Sequence, residues 1–514
     1  MLLGSTRATM ARHARAALDA RRRVTAVGLD VGTTGVKGIA LAEDGAIVAR
    51  AEAGYPLATP RPGWAEQDPD LWWAAAQAVL ADLHDAAGTP AGIGLSGQMH
   101  GLVTLDAGDR PVRPAILWND QRTGSQVAGI EERLGLDRLI GLTGNRALTG
   151  FTAPKLLWLA EHETDAYLRV ASIMLPKDYV RLRLCGEHAT DVADASGTLL
   201  FDVGARRWSG EVCDALEVPQ DWLPRVLESP EISGTTPGGV PVAAGAGDQA
   251  AGALGVGVSR PGPVSVVLGT SGVVFAALDT FAPDPEGRAH TFCHSVPGTW
   301  HAMGVMLSAG GSLRWLRDTV APGAGFDELV AEADRWPPGA EGLTFLPYLA
   351  GERTPHADPE ARGAFAGLSL RHDRGALVRA VLEGVAFGLR DCLDVVAASR
   401  GAAPEIGVVS GGGARSDAWV RIVAAVLELP LARTAADEGA AFGAALLGGV
   451  AGGIWADTSE AVAATVRTTA TIEPDPADVG HYAELRARFQ ALYPALRALP
   501  LDDTTHDEER TTIP

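Results

Sequence analysis

The chain has 514 residues, more than one ordinary hydrophobic core accommodates, so two large domains or more are expected. Its 46% hydrophobic and 21% charged content are those of a globular protein, and no apolar run is long enough to span a bilayer. A net charge of -20 excludes general affinity for nucleic acid or an anionic membrane, while leaving room for an anionic ligand held by local donors and a cation.

Residues 1–23 are basic, free of acid until Asp19 and without an apolar h-region. They resemble a transit peptide only in composition and read instead as a disordered extension before the first strand. The stretch VGLDVGTTGVKGIAL, residues 27–41, is a strand, a tight turn and a second strand. Asp30 is a poor strand residue at the end of the first run. The turn Gly32-Thr33-Thr34-Gly35 offers backbone N–H groups and two hydroxyls, a cradle for phosphate oxygens. It lacks the G-x-x-x-x-G-K-[ST] pattern, so it is not the usual P-loop. Its glycine is expected to take a positive φ and to let a phosphate approach the backbone closely.

Further along, GIGLSGQMHGLVTLD is two apolar runs broken by Gln98, Met99 and His100. AILWNDQRT then clusters Trp118, Asn119, Asp120 and Arg122. Amide, carboxylate, imidazole and indole together suit a polyol, although each residue alone is equally at home in a loop or core. VPVAAGAGDQAAGALGVG sets Asp248 after a strand and before an Ala-rich helix. It is placed there either to cap the helix or to meet a ligand at the strand's carboxyl end. VSVVLGTSGVVFAAL, residues 264–278, repeats the opening design with Gly269-Thr270-Ser271-Gly272 at its tip. Two hairpins of one plan, half a chain apart, point to an internal duplication and to two tips facing one polyphosphate. Asp30 is then placed to hold Mg²⁺ through water, and Asp248 to take a proton from an attacking hydroxyl. EIGVVSGGGARSDAWVRIVAAVLELP is a strand, a Gly-rich turn and an amphipathic helix capped by Ser416 or Asp417 and stopped by Pro430. The four cysteines, Cys185, Cys213, Cys293 and Cys392, form no C-x-x-C pair, which favours a reducing cytoplasm over a disulfide framework. The tail 501–514 is polar and expected to fray.

These motifs together resemble the FGGY carbohydrate kinases over about residues 24–500. GFTAPKLLWLAEH, residues 150–162, is similar to that family's signature segment. GQMHG, AILWNDQRT, LPKDYVRLRL, DVADASGTLLFDV, FCHSVPGTWHAMGVMLSAG and FLPYLAGERTPHADPEARGAFAGLS are similar to the branch acting on D-xylulose. The resemblance implies an α/β chain of two actin-like, ribonuclease H-like domains, 24–258 and 259–500, with ATP and sugar meeting in the cleft between them. It implies ATP-dependent phosphorylation of D-xylulose at O5, with Asp248 as general base and Asp30 near Mg²⁺. Thr33, Thr34, Lys37, Gly269, Thr270 and Ser271 fall on its phosphate hairpins, and Gly412, Gly413 and Asp417 on its adenosine segment. Gln98, Met99, His100, Trp118, Asn119, Asp120 and Gln249 fall on its sugar segments. Gln249 stands where this branch often carries Asn, so ribulose, gluconate, fuculose and glycerol stay open as acceptors. An actin-like ATPase switch stays open as another class. The expected partners are a small sugar and ATP, without nucleic acid or membrane, and a homodimer is the assembly to test.

Overall fold

The structure is a computed structural model that describes residues 23–400, 403–435 and 438–499. The basic extension up to residue 22 and the tail 501–514 lie outside these residues. Strands β1 (Thr25–Val31), β2 (Gly35–Ala42) and β3 (Ile47–Gly54) form an antiparallel meander whose first turn is the Gly32–Gly35 tip. Helix α1 (Pro69–Ala87) starts at an Asp68 cap, buries Trp72, Val79 and Leu83, and returns the chain to β4 (Gly92–Gly97), parallel to β1. A long excursion follows, containing α2 (Thr152–His162) and α3 (Pro176–Cys185). The sheet is then completed by β5 (Ile232–Thr235), β6 (Pro241–Ala243) and the short β7 (Ala246–Gly247), which pairs with the end of β4. The strand order is β5-β6-β4-β1-β2-β3. Helix α4 (Asp248–Gly255) leaves directly from β7.

The second sheet repeats this plan. It contains β8 (Pro263–Leu268), β9 (Gly272–Leu278), β10 (His290–Cys293) and β11 (Trp300–Met306). After α5 (Gly310–Val320) and α6 (Arg374–Arg400) come β12 (Ile406–Ser410), α7 (Asp417–Leu427) and β13 (Leu431–Thr434). Helix α8 (Gly439–Ala451), β14 (Thr468–Ile472) and α9 (Pro476–Arg497) end the described chain. The order is β10-β11-β9-β8-β12-β13-β14. Strands β11-β9-β8-β12-β13-β14 match β3-β2-β1-β4-β6-β5 in succession and in every parallel or antiparallel pairing. The duplication expected from two Gly-Thr-x-Gly tips is therefore one of spatial strand order and direction, the chain order differing at the edge, where β5 precedes β6 but β14 follows β13. No helix among the described residues is long and apolar enough to cross a membrane.

Helix α8 lies between β13 and β14 of the second sheet in sequence but packs on the first sheet. Its sequence, GAAFGAALLGGVA, brings backbone to backbone. A Cβ at Gly28 would lie 2.1 Å from the Ala441 carbonyl oxygen, one at Gly94 1.8 Å from that of Ala444, and one at Gly92 2.1 Å from that of Gly448. On the opposite side, a Cβ at Gly443 would lie 1.8 Å from the Ala251 oxygen of α4. The helix is thus clamped between β1, β4 and α4, and it fixes the element whose first residue is Asp248. Gly94→Val is expected to lower stability by about 1–3 kcal/mol or more, since rigid backbone has to move. An unchanged denaturation midpoint would contradict this packing.

Candidate active site

The first hairpin tip is held from behind through its carbonyls. Tyr55 Oη donates to the Gly32 oxygen at 2.5 Å, Gln67 Nε2 to that of Thr33 at 2.7 Å, and the Tyr55 amide to that of Thr34 at 3.2 Å. Gln98 Nε2 adds a 3.3 Å bond to the Gly32 oxygen. With these acceptors engaged, the amides of Thr33 and Thr34 donate to no described residue. The second tip is built alike. The amides of Ala309 and Gly311 donate to the Thr270 oxygen at 2.9 and 3.0 Å, and that of Gly310 to the Gly269 oxygen at 2.8 Å. Neither Gly32 nor Gly269 has a positive φ. The expected positive φ is therefore not found; instead, a Cβ at either position would press on a tip carbonyl at 3.3 Å.

Two cavities meet at the second tip. One, of about 760 Å³, is lined by Gly269, Thr270, Arg314, Gly412, Gly413 and Ser416 among others. Gly411, at φ +88°, turns the chain beneath it, while the Gly412 Cα faces open space. Ser416 caps α7 through the Trp419 amide, and Asp417 accepts from Arg433 at 2.6 Å, beyond the cavity wall. The helix ends at Leu427 with Glu428 in the left-handed region, two residues before Pro430. The other cavity, of about 260 Å³, is lined by Met99, His100, Trp118, Phe151, Asp248, Gln249, Ser271 and Arg353 together with apolar residues. Adjacent residues of one tip, Thr270 and Ser271, thus face different cavities.

Several polar residues of the smaller cavity are rigidly placed. His100 has a left-handed backbone, φ +68°, which a non-glycine residue adopts only when held. Thr152 Oγ1 and Lys155 Nζ both donate to its carbonyl, at 3.1 and 2.8 Å. Lys155 is fully buried and also donates to the Gly150 oxygen at 2.6 Å, tying the two loops that line the cavity. His100 Nδ1 lies 2.7 Å from the Gly197 oxygen. A carbonyl only accepts, so the proton is on Nδ1 and Nε2 is an acceptor. Burial holds the ring neutral, its pKa lowered to about 3. Trp118 is 43% exposed and donates Nε1 to Thr33 Oγ1 at 3.0 Å, joining this cavity to the first tip.

Asp248 is the first residue of α4, so Gly247 is the capping position. Burial, followed by the charge of Asp30, raises its carboxyl to about 7. Asp30 is also raised by burial, opposed by a 2.8 Å hydrogen bond from Ser96 Oγ and by the charge of Lys37, its neighbour across the ladder.

Two expected sugar contacts are engaged elsewhere. Gln98 is buried, and its amide is shared between Gly32, Gln67 and Thr33 behind the first tip. Asp120 is fully buried and accepts from Arg122 and from the Ala65 amide. Arg122 in turn stacks on Trp64, its guanidinium 3.6 Å from the ring centre. Asn119 Oδ1 is buried without a partner. Sequence reasoning gave no role to Phe151, Lys155 or Arg353. A lone lysine in the apolar run TAPKLLWL was the available signal for Lys155.

Residues 25–255 match the N-terminal domain of the FGGY family of carbohydrate kinases, and residues 264–452 its C-terminal domain. The chain is 44% identical to the xylulose kinase of Escherichia coli K12 over 438 residues, 83% of this chain and 90% of that protein. It superimposes on a xyloylose kinase from Brucella ovis with a TM-score of 0.87 at 42% identity, covering 92% of this chain and 99% of that one. A xylulose kinase from Rhodospirillum rubrum gives 0.86 at 35% identity, covering 92% and 99%. If both tips grip one polyphosphate, Gly32→Val and Gly269→Val should each weaken nucleotide binding by about tenfold or more. Titration with Mg-ATP checks this, and normal affinity in either variant would remove that tip from the cradle.

Proposed function

The chain belongs to the FGGY family of carbohydrate kinases, and we propose that it transfers the terminal phosphoryl group of ATP to O5 of D-xylulose, giving D-xylulose 5-phosphate and ADP. The observation that carries this reading is the second hairpin, with Thr270 on the larger cavity and Ser271 on the smaller one beside Asp248. A nucleotide in the larger cavity has its terminal phosphate at that tip, next to an acceptor in the smaller one. The names of the relatives support xylulose as the acceptor.

Phosphoryl transfer asks the protein for alignment and for charge stabilisation more than for covalent chemistry. O5 attacks the γ-phosphorus, the bond to the bridging oxygen breaks, ADP leaves, and the O5 proton passes to Asp248. A carboxyl pKa near 7 suits a base working near neutrality. The amides at Thr33, Thr34, Thr270 and Ser271 donate to phosphate oxygens, and His100 Nε2 accepts from a sugar hydroxyl. Asp30 fits a hydrated Mg²⁺: it is close enough to Asp248 for its charge to raise that carboxyl, and among the described residues Lys37 is the cation that lowers Asp30. Bound Mg²⁺ would supply neutralisation of the phosphate charge. The four free cysteines fit the reducing cytoplasm to which we assign the reaction.

A panel of sugars assayed for ADP release should give D-xylulose the highest kcat/KM. A clear preference for ribulose, gluconate or glycerol would sink the substrate assignment. Asp248→Asn should lower kcat by about 10²–10⁴ while nucleotide binding persists. In the wild type, kcat/KM should fall as pH drops below about 7, because protonated Asp248 cannot accept the proton. A flat profile from pH 5 to 8 would contradict that role.

A further inference from the structure

Arg353 is the cation of the smaller cavity that the mechanism leaves unused. It lines that cavity and forms no ion pair with a described residue. Its backbone is fixed on both sides: Glu352 Oε1 accepts from the Arg353 and Leu307 amides at 2.8 and 3.0 Å. The following residue, Thr354, bonds through its amide to the Val305 oxygen at 3.0 Å and through Oγ1 to the Arg288 oxygen at 2.7 Å.

The side chain is oriented by a relay from the other half of the molecule. Asn145 Nδ2 donates to the Thr143 and Thr291 oxygens, so its Oδ1 faces His290 Nδ1, 2.7 Å away. His290 therefore carries its proton on Nδ1 and accepts at Nε2, where Arg353 Nη1 donates at 3.3 Å. The rest of the guanidinium fork has no described partner. His290 packs edge-on against Phe151 at 5.7 Å, and Phe151 against His100 at 4.8 Å. Arg353 thus lies beside His100, in the cavity whose lining also includes Asp248.

Resting on the reading that the acceptor is D-xylulose, we infer that Arg353 is a specificity-determining residue that donates to the C2 carbonyl oxygen of the open-chain ketose. With O5 at Asp248, carbons 1 and 2 extend toward His100 and Arg353. A guanidinium only donates and a carbonyl only accepts, so the match is complete. A C2 hydroxyl can also accept from Arg353, but with His100 Nε2 engaged by the C1 hydroxyl its own proton meets a wall containing Phe151, Met303 and Val305. A buried donor without an acceptor is penalised, so the corresponding polyol is disfavoured.

The test compares kcat/KM for D-xylulose and for xylitol in the wild type, Arg353→Met and Arg353→Lys. The wild type should prefer D-xylulose. Arg353→Met should raise KM for D-xylulose by about 10- to 100-fold, as loss of a charged hydrogen bond does. Xylitol should suffer less, so the ratio collapses, and KM for ATP should stay within about threefold of the wild type. Arg353→Lys keeps a charged donor and should retain part of the preference. An unchanged ratio in Arg353→Met overturns the inference; if that variant fails to fold, an unchanged ratio in Arg353→Gln does so. A wild type that turns over another sugar but not D-xylulose overturns the substrate reading itself, and this inference with it.

Discussion

A hairpin tip can offer its amides to an anion only when its carbonyls are satisfied from another direction. Exposed carbonyls would repel the phosphate oxygens that the amides attract. In this chain both tips meet that condition by different means. The first uses side chains brought from three separate segments, Tyr55, Gln67 and Gln98. The second uses the amides of three consecutive residues, Ala309 to Gly311, at the start of α5. The duplicated topology supplies two equivalent tips, and these supporting groups give both the same polarity.

The same economy governs the acceptor side. His100 occupies a left-handed conformation that costs of order 1–3 kcal/mol, and its carbonyl receives two donors from α2 in return. The orientation of its ring follows from the Gly197 carbonyl. Asp248 sits at the start of a helix clamped by α8 through glycine backbone. Polar groups of the pocket are thus set by neighbours that do not touch the substrate. The buried Lys155 belongs to this support, which explains a lysine inside an otherwise apolar helix face.

The sequence disclosed what is local. Strand, turn and strand around Gly32 and Gly269, the helix after Gly413, and the position of Asp248 all depend on nearest neighbours in the chain. The duplication was legible because each tip carries its own small motif. What the sequence concealed depends on distant partners. Gln98 and Asp120 have the residue types of sugar ligands, yet Gly32 and Gln67 engage the first, and Arg122 and Ala65 the second. Arg353 lies more than 200 residues from His100, beyond the reach of any spacing rule, and its orientation comes from Asn145 by way of His290. The placement of α8 on the first sheet is likewise a long-range contact between glycines that local pattern leaves unspecified.

The central claim is that one phosphoryl group passes across the second tip, from the cavity beside Thr270 to the one beside Ser271. A crystal structure with D-xylulose and a non-hydrolysable ATP analogue tests it most directly. The terminal phosphate is expected within hydrogen-bond distance of the Thr270 and Ser271 amides, and O5 within about 3.2 Å of the Asp248 carboxylate. A sugar bound outside the smaller cavity, or a terminal phosphate directed away from the second tip, would contradict it.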